Sequence, residues 1–159
     1  MITLKELQSI QQLEQCIKEI CPENMRWRMI LETERELREP SERDAIAYEI
    51  MDDGIGIGLM QYSFQKAGLF HKEKIVIPIL TLSEYSKDIV HQTHRYLADT
   101  LGTQGELIHV LYSEDEHTPI HHQLKTDGFE EKRNPRNQSE YGYEEGSLYF
   151  VKKLSRGNV

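Results

Sequence analysis

The run Lys74-Ile75-Val76-Ile77-Pro78-Ile79-Leu80-Thr81-Leu82 constrains the fold of this chain more than any other segment. Its apolar character is nearly continuous instead of alternating, which predicts a strand buried on both faces at the centre of a sheet. Pro78 has no N–H to give to a ladder, so a bulge or a local parting of strands is expected there. A parted central strand leaves backbone groups free for a ligand.

The flanking segments say what surrounds that strand. Residues 3–21 read as a helix, because Leu4, Leu7, Ile10, Leu13, Ile17 and Ile20 recur every three or four positions. Thr3 and Glu6 have capping-box spacing, and Pro22 stops the run. A second helix is expected over 24–38, with Trp27 read as packing. Strands follow at 44–52 and from Ile55 to Phe64, joined by the hairpin signal Asp53-Gly54. Gly56 and Gly58 within the second of these admit a bulge or a close backbone approach.

After a loop over 65–73 and the central strand, residues 85–101 return to helical spacing, with Gly102 placed to terminate them. Leu107 to Tyr112 reads as a strand, and Thr118-Pro119 as the start of a short helix that Asp127-Gly128-Phe129 ends. Strands are expected at 129–133 and 146–154, the last exposed enough to pair across a homodimer. The order is thus α-α-β-β-β-α-β-α-β-β. The crossover over 74–112 makes its two strands parallel, so the fold class is α+β with a mixed, mostly antiparallel sheet. A chain of 159 residues suits one domain.

Composition narrows the partners. A formal net charge of −8 disfavours phosphodiester backbones, so nucleic acid is not expected. No window approaches the ~18 consecutive apolar residues of a membrane span. The start Met1-Ile2-Thr3-Leu4-Lys5-Glu6 does not read as an export signal, so a cytoplasmic location is expected. Cys16 and Cys21 fall on different faces of a helix and are expected as reduced, packed thiols.

Chemistry can concentrate after the central strand. A helix N-terminus at 84–88 offers unpaired N–H groups and a positive dipole end to an anion, with Ser86 adding a hydroxyl and Lys87 a charge. His117 and His121 share a helical face, and His91 and His94 lie three apart, but no H-E-x-x-H motif or third ligand supports a metal, and none is expected. Lys132, Arg133 and Arg136 form a basic knot that reads as solvated loop or as a contact for a phosphate or acidic substrate.

Several landmarks carry a resemblance to a known family. Asp53-Gly54-Ile55-Gly56-Ile57-Gly58, Val76-Ile77-Pro78 and His117-Thr118-Pro119-Ile120-His121-His122-Gln123-Leu124-Lys125-Thr126-Asp127-Gly128-Phe129, in this element order, resemble the GNAT acetyltransferases. The departures are equally specific. Leu82, Tyr85 and Lys87 stand where the family carries Arg/Gln, Gly and Gly/Ala, and Leu124 stands where a tyrosine often protonates the departing thiolate. His117 replaces the usual asparagine.

The resemblance implies acetyl-coenzyme A entering between the 74–82 and 107–112 strands, held by Ile79, Leu80, Thr81 and Leu82, with its pyrophosphate on Tyr85, Ser86, Lys87 and Asp88. The acceptor would be a small-molecule or peptide amine. His117 is the first candidate for proton transfer, Glu114 the second, and Tyr112 a candidate acid. The alternative is a GNAT-like module that has lost transfer chemistry and binds a ligand or a protein.

Overall fold

The computed structural model describes residues 1–37, 45–69, 73–84, 86–101, 105–111, 119–133 and 148–154. The elements are β1 (Ile2–Leu7), α1 (Ile10–Ile20), α2 (Met25–Leu37), β2 (Ala47–Asp52), β3 (Ile55–Gln65) and β4 (Lys74–Leu82), then α3 (Lys87–Leu101), β5 (Glu106–Leu111), α4 (Pro119–Thr126), β6 (Glu130–Arg133) and β7 (Leu148–Lys153). The strands form a seven-stranded mixed sheet in the order β1-β2-β3-β4-β5-β7-β6, with β4 and β5 parallel. The expected α+β class and mixed sheet are therefore present. Among the described residues no helix is long and apolar enough to cross a membrane.

The chain divides into two compact units, Met1–Gln61 with Leu80–Glu84, and Tyr62–Ile79 with Tyr85–Val159. In the first unit the expected helix over 3–21 is corrected. Its first part is β1, and the helix begins only after Ser9, whose hydroxyl accepts the Gln12 N–H while the Gln12 side chain returns to the Ser9 N–H. The capping box is Ser9/Gln12 and not Thr3/Glu6. Leu4 and Leu7 fit a helical stripe, but β2 offers a full antiparallel register from Ile2–Asp52 to Leu7–Ala47. That distant partner pairs the backbone groups of β1 that face it and overrides local spacing. The order therefore gains a first strand, β-α-α-β-β-β-α-β-α-β-β.

The hairpin falls where expected, with Asp53 at φ 49° and Gly54 at φ 84°, a turn whose positive φ values match strand twist. The β2–β3 register slips between Ile50 and Met51, which face Gly58 and Gly56. Both proposed uses of these glycines occur together: there is a bulge, and there is close approach. A Cβ on Gly58 would meet Leu82 Cδ2 at 2.6 Å and the Thr81 carbonyl oxygen at 2.7 Å. Leu13, Ile17, Trp27, Leu31, Ile50, Leu59 and Met60 belong to the buried core of this unit.

In the second unit β5 is fully engaged by β7, from Glu106–Lys153 to Leu111–Leu148, and β6 closes the other side of β7. The terminal strand is therefore interior to the sheet, and its expected exposure for dimer pairing is corrected. Tyr149, Phe150 and Val151 of β7 are all buried. Val76, Ile108, Val110, Tyr149 and Val151 form one apolar cluster. The end of α4 is closed by Phe129 N–H to Leu124 O at 3.1 Å and Gly128 N–H to Lys125 O at 3.2 Å, the paired bonds of a Schellman cap.

Candidate functional site

Within the second unit the β4–β5 ladder runs from Lys74–Glu106 to Ile77–His109 and stops. Pro78 follows at once. Beyond that point Ile79 and Val110–Leu111 continue in strand conformation, with β5 still paired to β7. Pro78 has no N–H to continue the pairing, so the parting expected from the sequence lies at that residue.

The helix start after β4 is only partly available to a ligand. Ser86 is the cap of α3: its hydroxyl oxygen accepts the Ile89 N–H at 3.1 Å, and its carbonyl accepts the Val90 N–H. By helix geometry the N–H groups of Lys87 and Asp88 are then those without an intrahelical acceptor. Asp88 sits in the first turn, where its charge complements the helix dipole and opposes a second anion. Its carboxylate accepts from Gln92 Nε2 at 2.7 Å.

Of the other expected cofactor residues, Ile79, Leu80 and Leu82 are buried apolar positions. The Thr81 hydroxyl, in the first unit, accepts the Trp27 indole N–H at 2.9 Å, a side-chain bond that leaves its backbone role untouched. Trp27 is completely buried, as its reading as a packing residue requires. Tyr85, and the proton-transfer candidates Tyr112, Glu114 and His117, lie outside the described residues, as do Gly102, Thr118 and Arg136. Leu124 is fully buried.

In the first unit a cleft of about 300 Å³ between α1 and α2 is lined in part by Glu14, Lys18, Arg28, Glu32 and Arg35. Arg35 binds both Glu14 and Glu32, so its charges are largely answered internally.

The second unit contains a polar constellation that sequence reasoning did not assemble. His94 of α3 is fully buried, and its Nδ1 lies 3.4 Å from Asp127 Oδ2. Its Nε2 lies 2.6 Å from Nε2 of His109 on β5, itself 2% exposed. His91 Nδ1 reaches Asp127 Oδ1 at 3.0 Å. Lys152 of β7 donates to the Asp127 carbonyl at 2.9 Å, with its ammonium 3.9 Å from the carboxylate. Phe129 packs against both imidazoles, with centroids 5.0 Å from His94 and 5.7 Å from His109.

Because ionised Asp127 only accepts, His94 must carry its proton on Nδ1, and its Nε2 must accept from His109 Nε2–H. Burial pushes His94 below the ordinary histidine range, although the Asp127 hydrogen bond pulls the other way. His109 is held well below it, first by burial and then by His94. Burial pushes the Asp127 carboxyl up, but the His94 hydrogen bond and the Lys152 charge outweigh it and leave it lowered. The visible signal was a single histidine inside the apolar run Leu107-Ile108-His109-Val110-Leu111. Its partners come from separate elements, which periodicity cannot join. Among the described residues no three His, Cys, Asp or Glu side chains are arranged to hold a metal.

No protein-family model matches the sequence, and no curated protein sequence matches it. Solved structures do match the fold. A probable acetyltransferase from Staphylococcus epidermidis superposes with a TM-score of 0.58 at 12% identity, covering 96% of this chain and 99% of that one. RimJ from Mycobacterium smegmatis, in complex with CoA-disulfide, gives 0.55 at 12% identity over 96% of this chain and 81% of that one. A chain of the NatC complex bound to Gag peptide and CoA gives 0.54 at 18% identity, covering 97% and 99%. With the element order above, these likenesses show that the chain has the GNAT fold.

Proposed function

We propose that this chain is an acetyl-CoA-dependent N-acetyltransferase, acting in the cytoplasm on a small-molecule or peptide amine. The observation that carries the reading is the end of the β4–β5 ladder at Ile77–His109, directly before Pro78. Unpaired strand backbone at that point suits an amide-containing ligand and can donate to a thioester oxygen as charge develops on it. Solved relatives in fold that hold CoA, one of them with a peptide, support the same ligand classes here.

The residues that would hold the cofactor are the backbone of Ile79–Leu82 and the segment Tyr85–Asp88, with Lys87 and Ser86 serving the pyrophosphate. Acetyl-CoA would supply an acetyl group activated as a thioester. The acceptor amine must first lose a proton, a task for His117 or, second, Glu114. The thiolate needs either Tyr112 as acid or release without one, because Leu124 is an apolar core residue.

The buried Leu124 and the acidic first turn of α3 favour a second reading, a GNAT-like binding module without transfer chemistry. Thermal melting with acetyl-CoA, followed by a thiol-release assay across an amine panel, separates the two. Ligand at ~100 times its Kd stabilises the native state by about 2.7 kcal/mol. At about 2–4 °C per kcal/mol, the midpoint should rise by roughly 5–10 °C. Stabilisation with thiol release supports the enzyme, and stabilisation without release supports the module. An unmoved midpoint at millimolar acetyl-CoA overturns the enzyme reading.

A further inference from the structure

The buried chain Asp127–His94–His109 has no part in the proposed transfer, yet it ties together three elements of the second unit. We propose that it is a pH-gated latch: closed while both imidazoles are neutral, it holds β5 to α3 and to the turn after α4, and acid opens it. The geometry gives the closed state one self-consistent proton pattern. His94 donates from Nδ1 to Asp127, and His109 donates from Nε2 to His94 across 2.6 Å.

A proton added to His94 Nε2 sets two N–H groups against each other unless His109 changes tautomer. A second proton places two cations within 2.6 Å in a site closed to water. The surroundings cannot absorb this. Among the described residues, the charged and titratable groups around the pair are these. From α3 comes His91, from the turn after α4 comes Asp127, and from β7 comes Lys152. His121 of α4 lies against Phe150, 5.1 Å between centroids, and Glu131 of β6 is engaged by Lys125 at 3.1 Å.

Among the described residues Asp127 is thus the one carboxylate in contact with the histidines, and Lys152 already answers its charge. Added protons therefore accumulate as uncompensated positive charge, which opening to water relieves. Burial holds both imidazoles neutral near pH 7, in keeping with this direction. His109 also forms the last pair of the β4–β5 ladder, so release of the latch frees the strand where the ladder ends.

The sign follows from proton linkage. Each histidine that takes a proton only in the open state, near its ordinary pKa of ~6.5, raises the open population as pH falls. Between pH 7.5 and 5.5 the change is about tenfold per histidine and about a hundredfold for both. Amide hydrogen exchange of the full chain, corrected for the intrinsic pH dependence of exchange, should show this loss of protection in α3 and β5. Strands β1 and β2 should change less.

His94→Gln keeps a donor for Asp127 and an acceptor for His109 but cannot titrate, so it should reduce the change to about tenfold. An equal loss of protection in β1 and β2, or an unchanged profile in His94→Gln, overturns the proposal. Should that variant fail to fold, ring nitrogen NMR of the unmodified chain decides. The latch requires neutral His94 with Nδ1–H and neutral His109 with Nε2–H at pH 7.5, both rings becoming imidazolium as protection is lost on acidification. Either ring found as the imidazolium cation at pH 7.5, or titrating with protection intact, sinks it.

Discussion

Trp27 is the only tryptophan in the chain, fully buried, and its indole N–H donates to the Thr81 hydroxyl at 2.9 Å. Thr81 was expected to serve the cofactor through its backbone, so its hydroxyl is at liberty to make this bond. Thr81→Val preserves shape and leaves the buried indole N–H without its acceptor. Such an orphaned donor costs about 1–3 kcal/mol, against about 0.5–1.5 kcal/mol for the net worth of a made hydrogen bond. The Tm should therefore fall by roughly 2–12 °C, at about 2–4 °C per kcal/mol for a chain of this size.

Trp27→Phe removes the donor, so in that background Thr81→Val has less to lose. The double-mutant cycle should show a coupling of about 0.5–1.5 kcal/mol. Urea unfolding followed by far-UV circular dichroism serves all four proteins, since fluorescence disappears with Trp27. Strict additivity would refute the reasoning, because it would mean that the bond contributes nothing beyond packing. Cofactor affinity supplies an independent arm. A hydroxyl committed to Trp27 predicts that Thr81→Val leaves acetyl-CoA binding nearly unchanged, and a tenfold loss would return Thr81 to the ligand.

Other outcomes follow from single contacts. Gly58→Ala should destabilise by about 1–3 kcal/mol in urea, as overpacking against the Thr81 carbonyl cannot be relieved by a side-chain rotation. Burial pushes the Cys16 thiol up to about 12 and the Cys21 thiol up to about 11, so both should alkylate slowly at pH 8 and rapidly once urea unfolds the chain. His117→Ala should lower turnover about 10²–10⁴-fold with cofactor affinity nearly unchanged, and equal kcat values would remove its role as base. Lys87→Glu should instead weaken acetyl-CoA in a titration, with a smaller effect at high salt.

Much of the frame is legible in the residues themselves. The apolar run at Lys74–Leu82, the Asp53-Gly54 turn, the paired glycines and the Gly128 cap are signals whose physics lies within a few positions of the chain. Each is met in the structure. Helix starts are less secure, because capping depends on what lies upstream. Thr3/Glu6 and Ser9/Gln12 are both acceptable boxes by composition, and β2 selects the second by claiming Ile2–Leu7 as a strand.

Three things were decided by tertiary structure alone. The parallel ladder begins at Lys74 and Glu106 and ends at Ile77 and His109, a register that neither strand encodes by itself. The Thr81 hydroxyl bonds Trp27 because α2 places an indole there, a partner that nothing near Thr81 in sequence announces. Asp127, His94 and His109 meet because a turn, a helix and a strand are packed together, and solitary histidines in sequence carry no record of their neighbours. Local patterns record what a residue needs, an apolar face or a positive φ. Which partner satisfies a buried polar group is settled only when distant segments are brought within hydrogen-bond reach, so the polar interior was the part that only folding could reveal.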